Sequence, residues 1–153
     1  SLPGGGRWDI SALTCNNGKV IFGGGSANIT SNITYYSDVY FIQDDNFTFV
    51  KVPNLDTTNA DNPGATTGNF ALFAPGINNY SNSSKIEVYD TNSMTKNLSN
   101  LDMGSRFSGS QLWLRKFSGS IGENIAFFKT SSEMVFFDEN LVKEFVALIE
   151  QDN

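Results

Sequence analysis

One short pattern recurs three times along the chain and constrains its fold more than any other feature. Each copy is an apolar strand that ends in a polar turn, and a second apolar strand lies upstream of it. Aligning Ile42, Tyr89 and Phe137 gives separations of 47 and 48 residues. The copies are VYFIQD (39–44), IEVYDT (86–91) and MVFFDE (134–139), and the upstream strands are VIF (20–22), FALF (70–73) and IAFF (125–128). A regular period of this length predicts a repeat architecture.

Each repeat divides into four short strands, a to d. In the first repeat they are predicted over 9–15, 19–22, 37–43 and 47–52. The segment 16–18 (Asn-Asn-Gly) predicts a type I′ hairpin turn, and Pro53 closes the unit because proline cannot donate into a central ladder. In the second repeat Gly68-Asn69 is the a–b turn, and strands b, c and d lie near Phe70, Lys85 and Met94.

The third repeat departs from this pattern at both ends. Its a–b connection is predicted to be longer, over 118–124. Its strand d is predicted within 141–149. A short helix capped by Asn140 is the alternative there, because Leu141, Phe145 and Leu148 share one helical face. We favour a strand, since the other two repeats have one at this place.

Four-stranded repeats of about 50 residues are typical of β-propeller blades, and the kelch repeat has this period. KVIFGGG (19–25) and SDVY (37–40) resemble the kelch pattern of a strand, a glycine doublet, a loop and an Asp-Val-Tyr strand. GNFALFAPG (68–76), KIEVYDTNSMTKNLSNL (85–101) and MGSRFSGS (103–110) resemble the following repeat and an arginine-led strand. The resemblance implies an all-β fold of three four-stranded antiparallel kelch-type blades in one region, 1–153, with repeats near 7–54, 55–103 and 104–150.

The resemblance also gives three glycines a structural role in the blades, namely Gly23, Gly24 and Gly76. Residues without Cβ allow neighbouring backbones to approach closely. The doublet becomes Pro75-Gly76 in the second repeat and Lys129-Thr130 in the third. The glycines do not indicate a phosphate loop, which needs GxxxxGK[ST] before a helix, whereas another strand follows here.

Three blades do not make a closed ring, because propellers close with about four to eight. We therefore expect additional copies of the chain, or further blades from another chain, as partners. Two copies would supply six blades, and a head-to-tail contact that does not close would form a filament. An isolated unit is expected to expose apolar faces on both end blades.

Composition excludes several classes of site. The chain has no histidine, which removes histidine-based triads and histidine metal ligands. Its net charge is −6 without a basic run, which argues against nucleic-acid binding, and no apolar stretch reaches the length of a membrane span. The single cysteine, Cys15, is predicted to be a small buried hydrophobe, with an intermolecular disulfide as the alternative. We expect no catalytic residues, no metal, and no cofactor other than N-linked glycans.

Six N-x-[ST] sequons occur, where about three are expected by chance from this composition. Four of them fall in pairs in the b–c loops of the first and second repeats, and such loops emerge on one face of a propeller. Glycans require exposed attachment sites. The pairing favours N-glycosylation and secretion; the alternative is that Asn, Ser and Thr simply favour loops. The predicted sites are Asn28, Asn32, Asn46, Asn79, Asn82 and Asn97.

Other residue groups have both a structural and a functional interpretation. The acidic segments 44–46, 90–92 and 138–140 are predicted to be c–d turns rather than calcium sites, since the EF-hand pattern is not matched. Arg7 and Arg106 lie 99 residues apart and are predicted to hold equivalent structural positions, rather than to form an acidic-sugar site with Arg115. Trp8 and Trp113 are predicted to fill the core rather than to stack on a sugar.

Together these features favour a non-catalytic, extracellular, glycosylated kelch-type module for protein assembly or recognition. The first alternative is part of an intracellular kelch adaptor whose sequons are incidental. The second is part of a secreted propeller lectin or enzyme whose site residues lie on other blades. The chain begins at Ser1 without a methionine, and we expect it to be a processed or excised segment.

Overall fold

The computed structural model describes residues 3, 5–29, 32–43, 46–56, 58, 62–76, 85–102, 117–129 and 133–147. Within these residues the fold is all-β, with fourteen strands and no helix. Twelve strands form three four-stranded antiparallel sheets, and the other two form a separate hairpin.

Each four-stranded sheet is a meander in which successive strands are neighbours, apart from the hairpin inserted into the first. The first sheet consists of β1 (Ser11–Thr14), β2 (Val20–Gly23), β5 (Val39–Ile42) and β6 (Phe49–Val52), and the inserted hairpin of β3 (Ser26–Ile29) and β4 (Asn32–Tyr35). The second consists of β7 (Gly64–Thr67), β8 (Phe70–Phe73), β9 (Lys85–Asp90) and β10 (Thr95–Asp102). The third consists of β11 (Phe117–Ile121), β12 (Ile125–Lys129), β13 (Glu133–Asp138) and β14 (Lys143–Ala147).

Strand register shows that the three sheets are built alike. In each sheet the second and third strands place two apolar residues directly opposite each other, and these positions agree with the alignment of Ile42, Tyr89 and Phe137. We call them the aligned pairs. They are Ile21–Phe41, Leu72–Val88 and Phe127–Phe136.

The sheets are stacked, and the second is buried on both faces. Side chains alternate between the faces of a strand. On β8, Ala71 and Phe73 join the core shared with the first sheet, whereas Leu72 between them joins the core shared with the third. The five largest fully buried side chains of the described residues lie in these cores and are all aromatic, namely Phe41, Phe73, Tyr89, Phe128 and Phe137. Two inter-sheet cores therefore hold the three sheets together.

Polar contacts add to this stacking along the first strands of the second and third sheets. The Ser120 hydroxyl donates to the Thr66 carbonyl at 2.7 Å and accepts from the Thr66 N–H at 2.8 Å. The first turns of all three sheets meet at Glu123, whose carbonyl accepts from Asn16 Nδ2 at 2.6 Å and from the Gly68 N–H at 2.7 Å.

The c–d turns share a backbone feature that was not predicted from the sequence. Phe47, Met94 and Leu141 lie at successive intervals of 47 residues, and all have a positive φ, at 57°, 56° and 63°. Bulky residues seldom adopt this left-handed conformation. Its recurrence at three equivalent places is a structural signature of the repeat.

Among the predictions about strands and turns, several are confirmed and three are wrong. Strand d of the third repeat is confirmed as β14. The turn at 16–18 is not type I′, because the loop has three residues and only Gly18 has a positive φ, at 77°; this is the geometry of a turn followed by a left-handed residue. The long connection at 118–124 is mostly strand β11, and the turn takes only 122–124. The b–c connection of the first repeat is not a plain loop, since it forms β3 and β4.

Candidate assembly surface

The aligned pair of the third sheet differs from the other two in its burial. Both members of Ile21–Phe41 and of Leu72–Val88 are 0% exposed, because each pair lies in an inter-sheet core. Phe127 and Phe136 are only half-buried. Beside them Ile125 is 37% exposed and Val142 is 55% exposed. We call this face of β12, β13 and the β13–β14 turn the uncovered face.

The uncovered face has the shape and chemistry of a packing surface. The ring centroids of Phe127 and Phe136 are 6.3 Å apart with the ring planes inclined by 41°. The Phe127 ring lies over Gly119, where an added Cβ would come within 2.9 Å of Phe127 Cε1. A depression of about 370 Å³ adjoins the Phe136 ring, and it is lined by Ile125, Phe136, Asp138, Val142 and Glu144. The uncovered face thus combines an apolar surface with the acidic side chains of Asp138 and Glu144.

The outer face of the first sheet is different. Phe22 and Tyr40 are 6% and 9% exposed, with their rings stacked at 5.6 Å. Phe49 packs edge-on against Phe22, also at 5.6 Å. On the same face Val20, Ile42 and Phe49 are half-buried. The expectation of two exposed end faces is therefore wrong for Phe22 and Tyr40 of the first sheet and is met only in part by its other apolar residues. It holds for the third.

Of the three predicted blade glycines, Gly23 lies at a close backbone approach at the end of β2. A Cβ on Gly23 would be 2.9 Å from Val39 Cγ2 and 3.1 Å from the Asp38 carbonyl oxygen. Gly24 has a φ of 71°, in the left-handed region. Gly76 is buried after β8. Gly23 ends β2 and Gly24 follows it directly, whereas Gly76 lies three residues after the end of β8.

Arg7 has a structural position, as predicted. Its side chain is 3% exposed. It donates to the Gly24 carbonyl at 3.2 Å and to Asp38 Oδ2 at 3.4 Å, and its guanidinium carbon lies 4.0 Å from the Tyr36 ring centroid. It therefore ties the β2–β5 connection to the chain before β1. Arg106 and Arg115 lie outside the described residues.

A charged cluster fastens the connection between the first and second sheets. Lys96 contacts Glu87 at 2.5 Å and Asp56 at 2.6 Å, and Lys85 contacts Asp56 at 2.6 Å. Hydrogen bonds from Lys85 and then Lys96 lower the pKa of Asp56 to about 2. Glu87 Oε1 also accepts from the Asp56 N–H at 2.7 Å. All its carboxylates are paired with lysines, which gives the cluster a structural role.

The acidic c–d turns hold their own backbone. Asp90 Oδ1 accepts from the Asn92 N–H at 2.8 Å, and Asp138 Oδ1 accepts from the Asn140 N–H at 2.9 Å. The turn prediction is confirmed for these two; residues 44 and 45 lie outside the described part. Among the described residues there is no group of three or more Cys, Asp or Glu that could hold a metal ion.

Cys15 is buried, as predicted, at 3% exposure in the core between the first and second sheets. Burial raises the pKa of its thiol to about 11, and a hydrogen bond with Thr91 opposes this in part.

The sequons occupy varied positions. Asn28 and Asn32 are exposed on β3 and β4, and Asn46 is exposed in the first c–d turn, whereas Asn97 is half-buried on β10. Asn79 and Asn82 lie outside the described residues.

The prediction that Trp8 is a core residue is wrong, since it is 49% exposed; it pairs with β3 instead of a blade strand. Trp113 lies outside the described part. Within that part no helix is long and apolar enough to cross a membrane.

Sequence reasoning missed the uncovered face as a site. Its strands were predicted, but the period could not say which face of the third sheet has no neighbouring sheet within the described part of the chain. The strand register and the burial of the aligned pairs supply that information.

The fold is similar to that of 110 chains of solved proteins. One is YjhT, a kelch-type propeller protein, with a TM-score of 0.69 at 11% sequence identity. The match covers 100% of this chain and 55% of YjhT. The chain thus has an all-β propeller-blade fold, which confirms the predicted fold class, and it spans about half the length of that propeller. The sequence matches no known family. No curated protein matches it either.

Proposed function

We propose that this chain is a non-catalytic, extracellular, N-glycosylated segment of a propeller, built from degenerate kelch repeats, whose role is protein assembly or recognition. It binds a further four-stranded blade on the uncovered face of its third sheet. The observation that carries the proposal is the aligned pair Phe127–Phe136, which is half-buried where both equivalent pairs are 0% exposed.

The two existing interfaces indicate what kind of partner fits. The pair Ile21–Phe41 shares a core with Phe73 of the next sheet, and Leu72–Val88 shares a core with Phe128. Phe73 and Phe128 hold the same register position in their sheets. By the same rule, Phe127–Phe136 accepts a blade that presents a phenylalanine at this position.

The chain itself contains such a blade. Phe22 holds the position of Phe73 and Phe128, opposite Tyr40. We therefore take the first sheet of a second copy as the partner that docks on the uncovered face. Since Phe22 is 6% exposed, docking requires its aromatic neighbours to rearrange. A heterologous contact of this kind either closes into a ring or continues as a filament.

Light scattering after size exclusion, over a series of protein concentrations, tests the assembly. We expect species larger than the 16.8 kDa chain. Phe136→Asp should shift them to monomer, because a carboxylate on this face cannot be desolvated without a partner. Thr95→Asp is the matched control, since Thr95 is exposed on the outer strand of the second sheet, and it should leave assembly unchanged.

A cooperatively unfolding monomer at all concentrations would contradict self-assembly. Equal effects of the two aspartate variants would mean that charge alone drives dissociation. The extracellular, glycosylated part of the proposal has a separate test, namely mass spectrometry of secreted protein after peptide-N-glycosidase treatment. Absence of deamidated asparagine at all six sequons would exclude it.

A further inference from the structure

The β3–β4 hairpin carries an exposed apolar surface around one sequon. Asn28 pairs with Ile33 across the hairpin. On the other side of β3, Trp8 bridges to Ser26, with Trp8 N–H to Ser26 O at 2.9 Å and Ser26 N–H to Trp8 O at 2.8 Å. Directly paired residues share a face, and residues two apart on a strand share it too. Trp8, Asn28 and Ile33 therefore lie on the same face.

The exposure of these side chains is unusual for their size. Trp8 is 49% exposed and Ile33 is 58% exposed, and Asn28 between them is also exposed. Directly opposite Cβ atoms are about 4.5–5.5 Å apart, and diagonal neighbours, at about 7–8 Å, remain within reach of long side chains. Ile33 is the direct neighbour of Asn28, and Trp8 is a diagonal one. A group attached to Asn28 Nδ2 therefore begins on the face that carries the apolar side chains of Trp8 and Ile33.

The opposite face of the hairpin offers an internal comparison. There Asn32 pairs with Ile29, which is 48% exposed. Each sequon asparagine thus lies opposite the central isoleucine of the other sequon. The two faces differ in that Trp8 lies on the Asn28 face.

We infer that an N-linked glycan on Asn28 lies against Trp8 and Ile33 and covers them from water. The inference rests on the glycosylation in the proposed function. In the modification, Asn28 Nδ2 bonds to C1 of a lipid-diphosphate-linked oligosaccharide, the lipid diphosphate leaves, and Nδ2 loses one proton. The first sugar has an apolar C–H face, which fits the flat indole, and hydroxyls at its edge that stay in water. Covering exposed apolar area in this way is favourable.

Secreted protein from a eukaryotic host provides the test. Thr30→Ala removes the Asn28 sequon and keeps Asn28, and Thr34→Ala does the same for Asn32. We measure acrylamide quenching of tryptophan fluorescence and the thermal midpoint. Trp8→Phe identifies the part of the emission that comes from Trp8. Enzymatic removal of glycans from the native protein repeats the comparison without any substitution.

With the glycan on Asn28 we expect weaker quenching of Trp8 and a thermal midpoint higher by about 2–4 °C than in Thr30→Ala. Thr34→Ala should leave Trp8 quenching at the wild-type value. Occupied Asn28 with unchanged quenching overturns the inference and leaves glycosylation intact. Glycans at other sequons with none on Asn28 also overturn the inference and leave glycosylation of the protein intact. A chain without glycans at any sequon overturns both this inference and the glycosylated part of the proposed function.

Discussion

Leu72 and Phe127 occupy the same register position in neighbouring sheets, but among the described residues only Leu72 is covered by a further sheet. Leu72 is 0% exposed in the core between the second and third sheets, and Phe127 is half-buried on the uncovered face. Both side chains hold the same position in the repeat. Their burial differs because the third sheet packs on Leu72.

This relationship predicts unequal costs for the same kind of truncation. In dilute monomer, Leu72→Ala should lower the free energy of unfolding by about 2–5 kcal/mol, because it leaves a cavity in a closed core. Phe127→Ala should cost less, about 1 kcal/mol, since part of its ring already meets water. Urea unfolding of both variants measures the difference. Equal losses would mean that the uncovered face is packed in solution.

The left-handed backbone at Phe47 predicts that glycine is tolerated there. Phe47 is 67% exposed with a φ of 57°, so its ring contributes little and its Cβ is strained. Phe47→Gly should be more stable than Phe47→Ala by about 1 kcal/mol, since both remove the ring but only glycine relieves the strain. Thermal unfolding of the pair tests this. An alanine variant equal to or better than the glycine variant would contradict it.

The charged cluster predicts an acid-sensitive contribution to stability. Its two lysines lower the pKa of Asp56 from 3.8 to about 2. A lowered folded-state pKa stabilises the fold above pH 3.8, and this contribution disappears as the pH falls towards 2. Half of the Asp56 side chain is exposed, so the effect is small.

Denaturant midpoints measured between pH 5 and pH 2 should show the wild type losing more stability than Asp56→Asn. Asp9→Asn, which removes a carboxylate outside the described ion pairs, should follow the wild type. Parallel curves for wild type and Asp56→Asn would rule out this role of Asp56.

Cys15 should react slowly with thiol reagents in the folded protein. Its pKa of about 11 against a usual 9.0 lowers the thiolate fraction at pH 8 about 100-fold, and burial hinders access further. Iodoacetamide labelling followed by mass spectrometry should give slow modification that becomes fast in urea. Rapid labelling of native protein would mean that the core between the first and second sheets opens.

The sequence by itself determined the kind of unit from which this protein is built. A period of 47–48 residues, alternation within short strands and polar turns are local properties, and they predicted the four-stranded sheets and strand β14. Local signals were weaker where small residues interrupt them. FSGSI (117–121) has little apolar character, and it is a strand because it pairs with β12 along its whole length. Gly119 leaves room there for the Phe127 ring.

Only the tertiary structure decided which faces are covered. Phe41, Val88 and Phe136 hold equivalent positions in the alignment of the repeats. Phe41 and Val88 lie in closed cores, whereas Phe136 is only half-buried. Likewise Trp8 was expected in the core, and pairing with Ser26 places it on the hairpin face beside Asn28. The physical reason is that burial depends on which sheet packs against a face, and that packing is set by contacts between residues far apart in the chain.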